Sequence, residues 1–190
     1  IEEYFVFPEI EYNKKNILDM NKLISIIKKN KYISISGTID SGKTTLLKEL
    51  YLILKQEMFA LYLDKGSIDK KNIKSIIKYA LNNQIDDQNY LDIYNQKLVD
   101  DRIVFVDDFD LIKDEKNQDY LIEYLKQYFG IIIFTNNTNS IVDIEETFKE
   151  KYALDISTVN INRFTIRQRT HLIDKIGKLF ETDIKHDEPN

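Results

Sequence analysis

Apolar positions follow two alternating rhythms along this chain. Short apolar runs at Tyr32–Ser36, Phe59–Leu63, Arg102–Val106 and Gly130–Phe134 read as strands, and a fifth spans Ala153 to Ile161. Ile103–Val106 and Ile131–Phe134 are apolar at every position, which predicts strands buried on both faces. Between the runs, apolar residues recur at three- and four-residue spacing. Ile17, Met20, Leu23, Ile24 and Ile27 mark a helix over 17–30, and Leu46, Leu47, Leu50, Tyr51 and Leu54 mark a second. Further helices are predicted over about 69–82, 88–98, 117–128 and 141–151, and from Thr165, a suitable N-cap, through about 177. Strands alternating with helices predict an α/β fold with a mostly parallel sheet and helices on both faces.

The flanks and loops carry less pattern. Tyr4-Phe5-Val6-Phe7-Pro8 is dense in rings, and Pro8 favours an extended or turned entry segment. These rings either pack on the core or lie against a bound base. Lys70, Lys74 and Lys78 form a basic stripe, read as a solvated helix face, and Asn82–Asp87 reads as a loop. Glu181–Asn190 holds one apolar residue and several charges. The expected organisation is therefore one domain over 1–177, with an entry segment and leading helix over 1–31, followed by a charged tail or linker over 178–190.

Composition narrows the classes. A chain of 190 residues suffices for one α/β core. The formal net charge of −5 does not favour a large nucleic-acid footprint. With no cysteine there is no thiol chemistry or disulfide framework. No apolar run is long enough to span a bilayer. The sequence opens on Ile1; the expectation is a piece of a longer, cytoplasmic protein, with other domains of that protein as partners.

The chemistry gathers at two strand ends. Gly37-Thr38-Ile39-Asp40-Ser41-Gly42-Lys43-Thr44 satisfies G-x-x-x-x-G-K-[ST] between a predicted strand and a predicted helix, the context in which that pattern cradles phosphate. Glycines let successive N–H groups turn inward, and the helix N-terminus adds partial positive charge. Gly37, Thr38, Asp40, Ser41, Gly42, Lys43, Thr44 and Thr45 are the expected nucleotide contacts. Lys43 is expected on the terminal phosphates, and the Thr44 hydroxyl on Mg²⁺. The second strand end is Val106-Asp107-Asp108-Phe109-Asp110. In open α/β sheets ligands sit at the carboxyl ends of strands. Asp107 is therefore read as a metal carboxylate with Thr44, and Asp108 as the group that orients or deprotonates an attacking water. Thr135 and Asn136, which end the next apolar run, are read as reaching the terminal phosphate or that water. ATP or ADP with Mg²⁺ is the expected cofactor. Arg163, Arg167 and Arg169 are read as phosphate contacts, as contacts to a partner domain, or as surface salt bridges.

Taken together, these motifs resemble the additional-strand class of P-loop ATPases, which includes the AAA+ and STAND proteins. The glycine loop corresponds to a Walker A motif and Arg102–Asp108 to a Walker B. The resemblance covers about residues 1–177. Through the Tyr4–Pro8 entry, the Asp107-Asp108-Phe109-Asp110 ending and the arginines at the last helix, it is nearest to STAND modules of bacterial defence proteins. It implies the strand order 5-1-4-3-2, with the Ile131–Phe134 strand between the loop strand and the acidic strand. It also implies a slow, nucleotide-gated switch that couples a sensor to an effector and oligomerises when activated. Three features depart from the class. The second acid is Asp108 where fast hydrolases carry Glu, Asp40 puts negative charge in the loop, and no lid domain is legible after residue 177. Two other readings are a small-molecule P-loop kinase, with Asp64 as base and Arg163, Arg167 and Arg169 as lid, and a DNA-associated AAA+ ATPase. The kinase requires the loop strand beside the acidic strand.

Overall fold

The structure is a computed structural model, and it describes residues 5–17, 19–64, 73–85, 89–112, 114–137 and 144–186. The first element differs from expectation. Ile10–Tyr12 (β1) and Lys15–Ile17 (β2) form an antiparallel hairpin whose partners are Ile10–Ile17 and Tyr12–Lys15. Asn13 and Lys14 turn the corner with φ of 51° and 59°. Two left-handed residues in succession are what a twisted two-residue hairpin needs. The leading helix α1 (Met20–Asn30) therefore starts later than the apolar spacing implies. Asp19 caps it by accepting from the Lys22 N–H at 2.9 Å.

The chain then alternates as its patterning predicts. β3 (Tyr32–Gly37) leads through the glycine loop into α2 (Lys43–Leu54), and β4 (Phe59–Leu63) follows. Next come α3 (Ile73–Gln84) and α4 (Tyr90–Gln96), then β5 (Arg102–Val106) and α5 (Glu115–Tyr128). β6 (Ile131–Asn137), α6 (Ile144–Tyr152), β7 (Ser157–Ile161) and α7 (Ile166–His186) complete the chain. The predicted starts at 69–72 and 141–143, Lys70 of the basic stripe, Tyr4, and Asp86 and Asp87 of the predicted loop lie outside the described residues. α7 continues past residue 177, where the sequence reads as a charged tail. Thr165 and Gln168 start it as a capping box. Gln168 N–H donates to Thr165 Oγ1 at 3.3 Å, and Thr165 N–H donates back to Gln168 Oε1 at 2.9 Å.

Among the described residues one seven-stranded, mostly parallel sheet results, in the order β2-β1-β7-β3-β6-β5-β4. The order of the whole sheet is thus not 5-1-4-3-2, because the β1–β2 hairpin extends it beyond β7, antiparallel to that strand. In the parallel part, β3 lies between β7 and β6, and β6 separates it from β5. Two hydrophobic clusters cover the faces. Leu23, Ile27, Leu46, Leu47, Leu50 and Leu54 of α1 and α2 pack with Ile103, Phe105 and Ile133 on one side. Leu121, Ile122, Leu125 and Phe148 of α5 and α6 pack with Val104, Val106, Ile132 and Phe134 on the other. Each fully buried Leu or Ile contributes roughly 1.5–3 kcal/mol. This parity also decides where the polar residues at the strand ends point.

Candidate functional site: the glycine loop and the acidic strand end

The loop between β3 and α2 is built around positions that exclude a side chain or need left-handed backbone. A Cβ at Gly37 would stand 2.5 Å from Ser41 Oγ and 3.1 Å from the Ile161 carbonyl. Gly42 has φ of 93°, and Asp40 has φ of 61°. Lys43, the first residue of α2, is buried and folds back under the loop. Its ammonium donates to the Gly37 carbonyl at 3.0 Å and to the Thr38 carbonyl at 2.7 Å. Burial lowers the Lys43 pKa, while the carboxylates of Asp110, Asp108, Asp107 and Asp40 oppose that shift. The charge is thus held within the loop with acids around it. Ser41 Oγ is buried with no hydrogen-bond partner among the described residues.

Strand parity brings the acidic end to the same place. Ile103 and Phe105 point at α2, so Asp107, two residues on, points there too. It is buried, and its carboxylate accepts three hydrogen bonds. Thr44 Oγ1 donates to Oδ1 at 3.2 Å, Thr135 Oγ1 donates to Oδ1 at 2.7 Å, and the Tyr62 hydroxyl donates to Oδ2 at 2.8 Å. Burial first, and Asp107 second, push the Tyr62 phenol well above its ordinary value, so that hydroxyl keeps its proton as a donor. Thr135 also accepts the Asp108 backbone N–H at 2.7 Å, so one hydroxyl ties both acids to β6. Asp108 turns off the strand with φ of 53° and lines the open cavity over the loop.

Thr135 and Asn136 part company. Thr135 shares the side of Ile131 and Ile133, toward α2. Asn136 lies on the opposite side, buried, donating to Ser34 Oγ of β3 at 2.9 Å. The polar tip that reaches the cavity is Asn137, whose amide donates to Asp110 Oδ2 at 2.7 Å. Asp110 Oδ1 is buried and has no hydrogen-bond partner among the described residues. Sequence reasoning missed Tyr62, Asn137 and Asp110 as members of this site. Two-residue parity would have moved the choice from Asn136 to Asn137, but nothing in the sequence points from Tyr62 to Asp107.

The cavity over the loop has about 550 Å³ and is lined by Asp40, Gly42, Lys43, Thr44, Thr45, Asp108 and Asn137, with Ile39 and Leu111 on its rim. A smaller apolar pocket of about 240 Å³ adjoins it behind Gly42 and Thr45. Phe5, Val6, Pro8, Phe164 and Leu172 form that pocket. The entry segment and the start of α7 thus meet beside the loop, and Lys175 Nζ donates to the Phe5 carbonyl at 2.9 Å. Of the three arginines, Arg163 touches the loop, Nε donating to Thr38 Oγ1 at 3.3 Å. Arg167 lines a different cavity, alongside Phe5 and His171.

Among the described residues no group of three or more His, Cys, Asp or Glu could hold a metal ion by itself. Thr44 and Asp107 nonetheless present two hard oxygens side by side. They fit an ion that keeps part of its water shell and takes its other ligands from phosphate. Among the described residues no helix is long and apolar enough to cross a membrane.

No protein-family model matches the chain, and no curated protein does. Similar solved structures include an Escherichia coli MS115-1 HORMA:CdnC:Trip13 complex, with a TM-score of 0.45 and 11% identity over 82% of this chain. Another is a closed state of Hsp104 with ATPγS and FITC casein, with a TM-score of 0.49 and 14% identity over 83% of this chain. The chain spans 56% of the first and 28% of the second. At those values the likeness decides nothing about family or activity.

Proposed function

We propose that this chain is an ATP-binding, slowly hydrolysing switch module of the AAA+/STAND kind, which takes ATP or ADP with Mg²⁺ at the glycine loop. The observation that carries the reading is the 3.2 Å contact between Thr44 and Asp107, residues 63 apart in sequence. It joins the helix end that would meet the phosphates to a buried carboxylate on another strand, as a shared metal site requires. Thr44 and Asp107 would hold Mg²⁺, which when bound neutralises developing phosphate charge. Gly37, Thr38, Asp40, Ser41, Gly42 and Thr45 would wrap the phosphates with backbone N–H groups, and Lys43 would exchange its loop carbonyls for phosphate oxygens. Asp108 would orient the attacking water, with Thr135 holding its backbone. The base would sit in the pocket of Phe5, Val6, Pro8 and Phe164 beside Gly42.

Three features favour a switch over a rapid enzyme. Asp108 is shorter than Glu, Asp40 opposes phosphate charge, and exposed apolar side chains line the loop cavity where a closing partner would pack. Exposed Ile39 and Leu111 on that rim suit contact with another domain of a longer protein or a second copy. β6 between β3 and β5 disfavours the small-molecule kinase.

Thermal unfolding tests the reading. A ligand in hundredfold excess over Kd stabilises by about 2.7 kcal/mol, which for a domain of this size raises Tm by roughly 5–11 °C. Saturating Mg-ADP should give such a rise, and Lys43→Ala should remove most of it. No shift and no calorimetric heat at millimolar nucleotide would overturn the proposal.

A further inference from the structure

A second cavity, of about 430 Å³, opens between α2 and α3 and touches the site from behind. It follows the stripe of α2 that begins at Thr44 and continues through Lys48, Tyr51 and Leu52. Tyr79 and Asn83 of α3 form the facing wall, and Asp64, at the end of β4, and Tyr62 lie between. Asp107 is among its lining residues and links it to the loop site. The volume is in the range of small-molecule sites.

We propose that this cleft is a second ligand site, for a small aromatic molecule that carries an amine or hydroxyl donor and no phosphate, and that its occupancy is felt at Asp107 through Tyr62. The binding part stands on the cleft alone; the coupling part rests on the nucleotide reading above.

The shape and charge of the walls select the class. The Tyr51 ring is fixed edge-on against Tyr62 and Phe105, at centroid distances of 5.7 and 5.8 Å. Tyr79 is 45% exposed on the other wall. Aromatic rings on two walls favour a flat, apolar body between them. Among the described residues that line it, the carboxylates are Asp64 and Asp107 and the ammonium is Lys48. Carboxylates only accept hydrogen bonds, so they favour amines and hydroxyls and repel phosphate. The loop cavity also sets two carboxylates, Asp40 and Asp108, against one ammonium, Lys43, but it is lined by the first turn of α2, whose N-terminus favours anions, and the cleft has no such helix start among its described lining residues. A peptide strand is disfavoured too, although β4 is the sheet edge. The Gln84 side chain already accepts the Tyr62 N–H at 2.8 Å and donates to the Tyr62 carbonyl, closing the backbone edge at that residue.

Coupling follows from Tyr62. Its ring lies on the cleft and its hydroxyl donates to Asp107 Oδ2, while Oδ1 takes Thr44 and Thr135. A cationic donor that reaches this carboxylate competes with a metal ion for it, and one that draws the phenol away removes a hydrogen bond that orients it. The effect must be mutual: cleft ligand and Mg-nucleotide weaken one another by the same factor.

Saturation-transfer NMR on the whole chain tests this with two probes that share a phenol ring, tyramine and 4-hydroxyphenylpropionate. Tyramine should show transfer and bind roughly tenfold tighter than the carboxylate, because only tyramine complements the acids. Asn83→Trp, which fills the cleft, and Tyr79→Ser, which removes a wall, should each abolish tyramine transfer; both positions are exposed. Calorimetry should find Mg-ADP affinity weakened about fivefold by saturating tyramine in the unaltered chain and unchanged by it in Asn83→Trp. Equal transfer to both probes, or tyramine binding that survives Asn83→Trp, would overturn the site. Tyramine binding that obeys the variants but leaves Mg-ADP affinity unmoved would overturn the coupling. Tyramine binding that obeys the variants in a chain that binds no Mg-ADP would uphold the cleft and sink the nucleotide reading instead.

Discussion

Asp107 and Asp108 are neighbours in sequence and opposites in structure. Asp107, the first residue after β5, is buried, and its carboxylate takes donors from three different elements: α2, β6 and β4. Asp108 leaves the strand in a left-handed turn, is half-buried, and faces the open loop cavity. A carboxylate fixed from three sides keeps its place when an ion arrives, which is what a metal-holding group needs. A carboxylate on a turn beside the cavity can meet a water. The left-handed turn at Asp108 separates the two proposed roles, one residue apart, and the Thr135 hydroxyl bonds to both residues.

The largest effect that should break this contrast is Asp107→Asn. Removing the charge should weaken Mg-dependent ADP binding by about 10²–10³-fold, the cost of losing one partner of a buried ionic contact. The amide also sets a donor against either Tyr62 or the two threonines, so Tm should fall even without ligand. Calorimetry with and without Mg²⁺ and a thermal scan read the two effects. Asp108→Asn sharpens the contrast from the other side. It should leave Mg-ADP affinity within about threefold and abolish whatever ATP hydrolysis the chain has, since a general base contributes about 10²–10⁴ in rate. Equal loss of binding in both variants would erase the distinction.

Thr135→Val comes next. It leaves the Asp108 N–H without its acceptor and takes one donor from Asp107. About 1–3 kcal/mol of stability should go, at 2–4 °C of Tm per kcal/mol, with hydrolysis lost before binding. The smallest effect belongs to Tyr62→Phe. Outer partners of a metal ligand are typically worth 10–100-fold in metal affinity; with two threonines still holding Asp107, about tenfold weaker Mg²⁺ dependence is expected, and metal-free nucleotide binding should not change.

Much of this was legible in the sequence, for identifiable reasons. The glycine loop, the strand Arg102–Val106 and the α/β alternation are local signals, set by residue type and spacing, and the elements appear where the spacing puts them. The β1–β2 hairpin was not legible, because Asn13-Lys14 lacks the glycine that usually marks such a turn, and Ile17 also fits the apolar stripe of α1. Residue type marks Thr135, Asn136 and Asn137 as one polar strand end and cannot say which of them share a face. Tyr62 could not be found at all: its contact with Asp107 spans 45 residues and depends on how β4 sits against β5. The helical course of α7 beyond residue 177 was masked by the charge of its last turns.

The most direct test of the central claim, that Thr44 and Asp107 together make a metal-dependent nucleotide site at the glycine loop, is calorimetric titration of ADP into the whole chain. It should be run with Mg²⁺ and with excess chelator, in the unaltered protein and in Asp107→Asn. The account predicts saturable binding that Mg²⁺ strengthens in the unaltered chain, and a variant whose weak binding is the same with metal and without. Binding that ignores Mg²⁺ in the unaltered chain, or a variant that keeps the full metal effect, would contradict it.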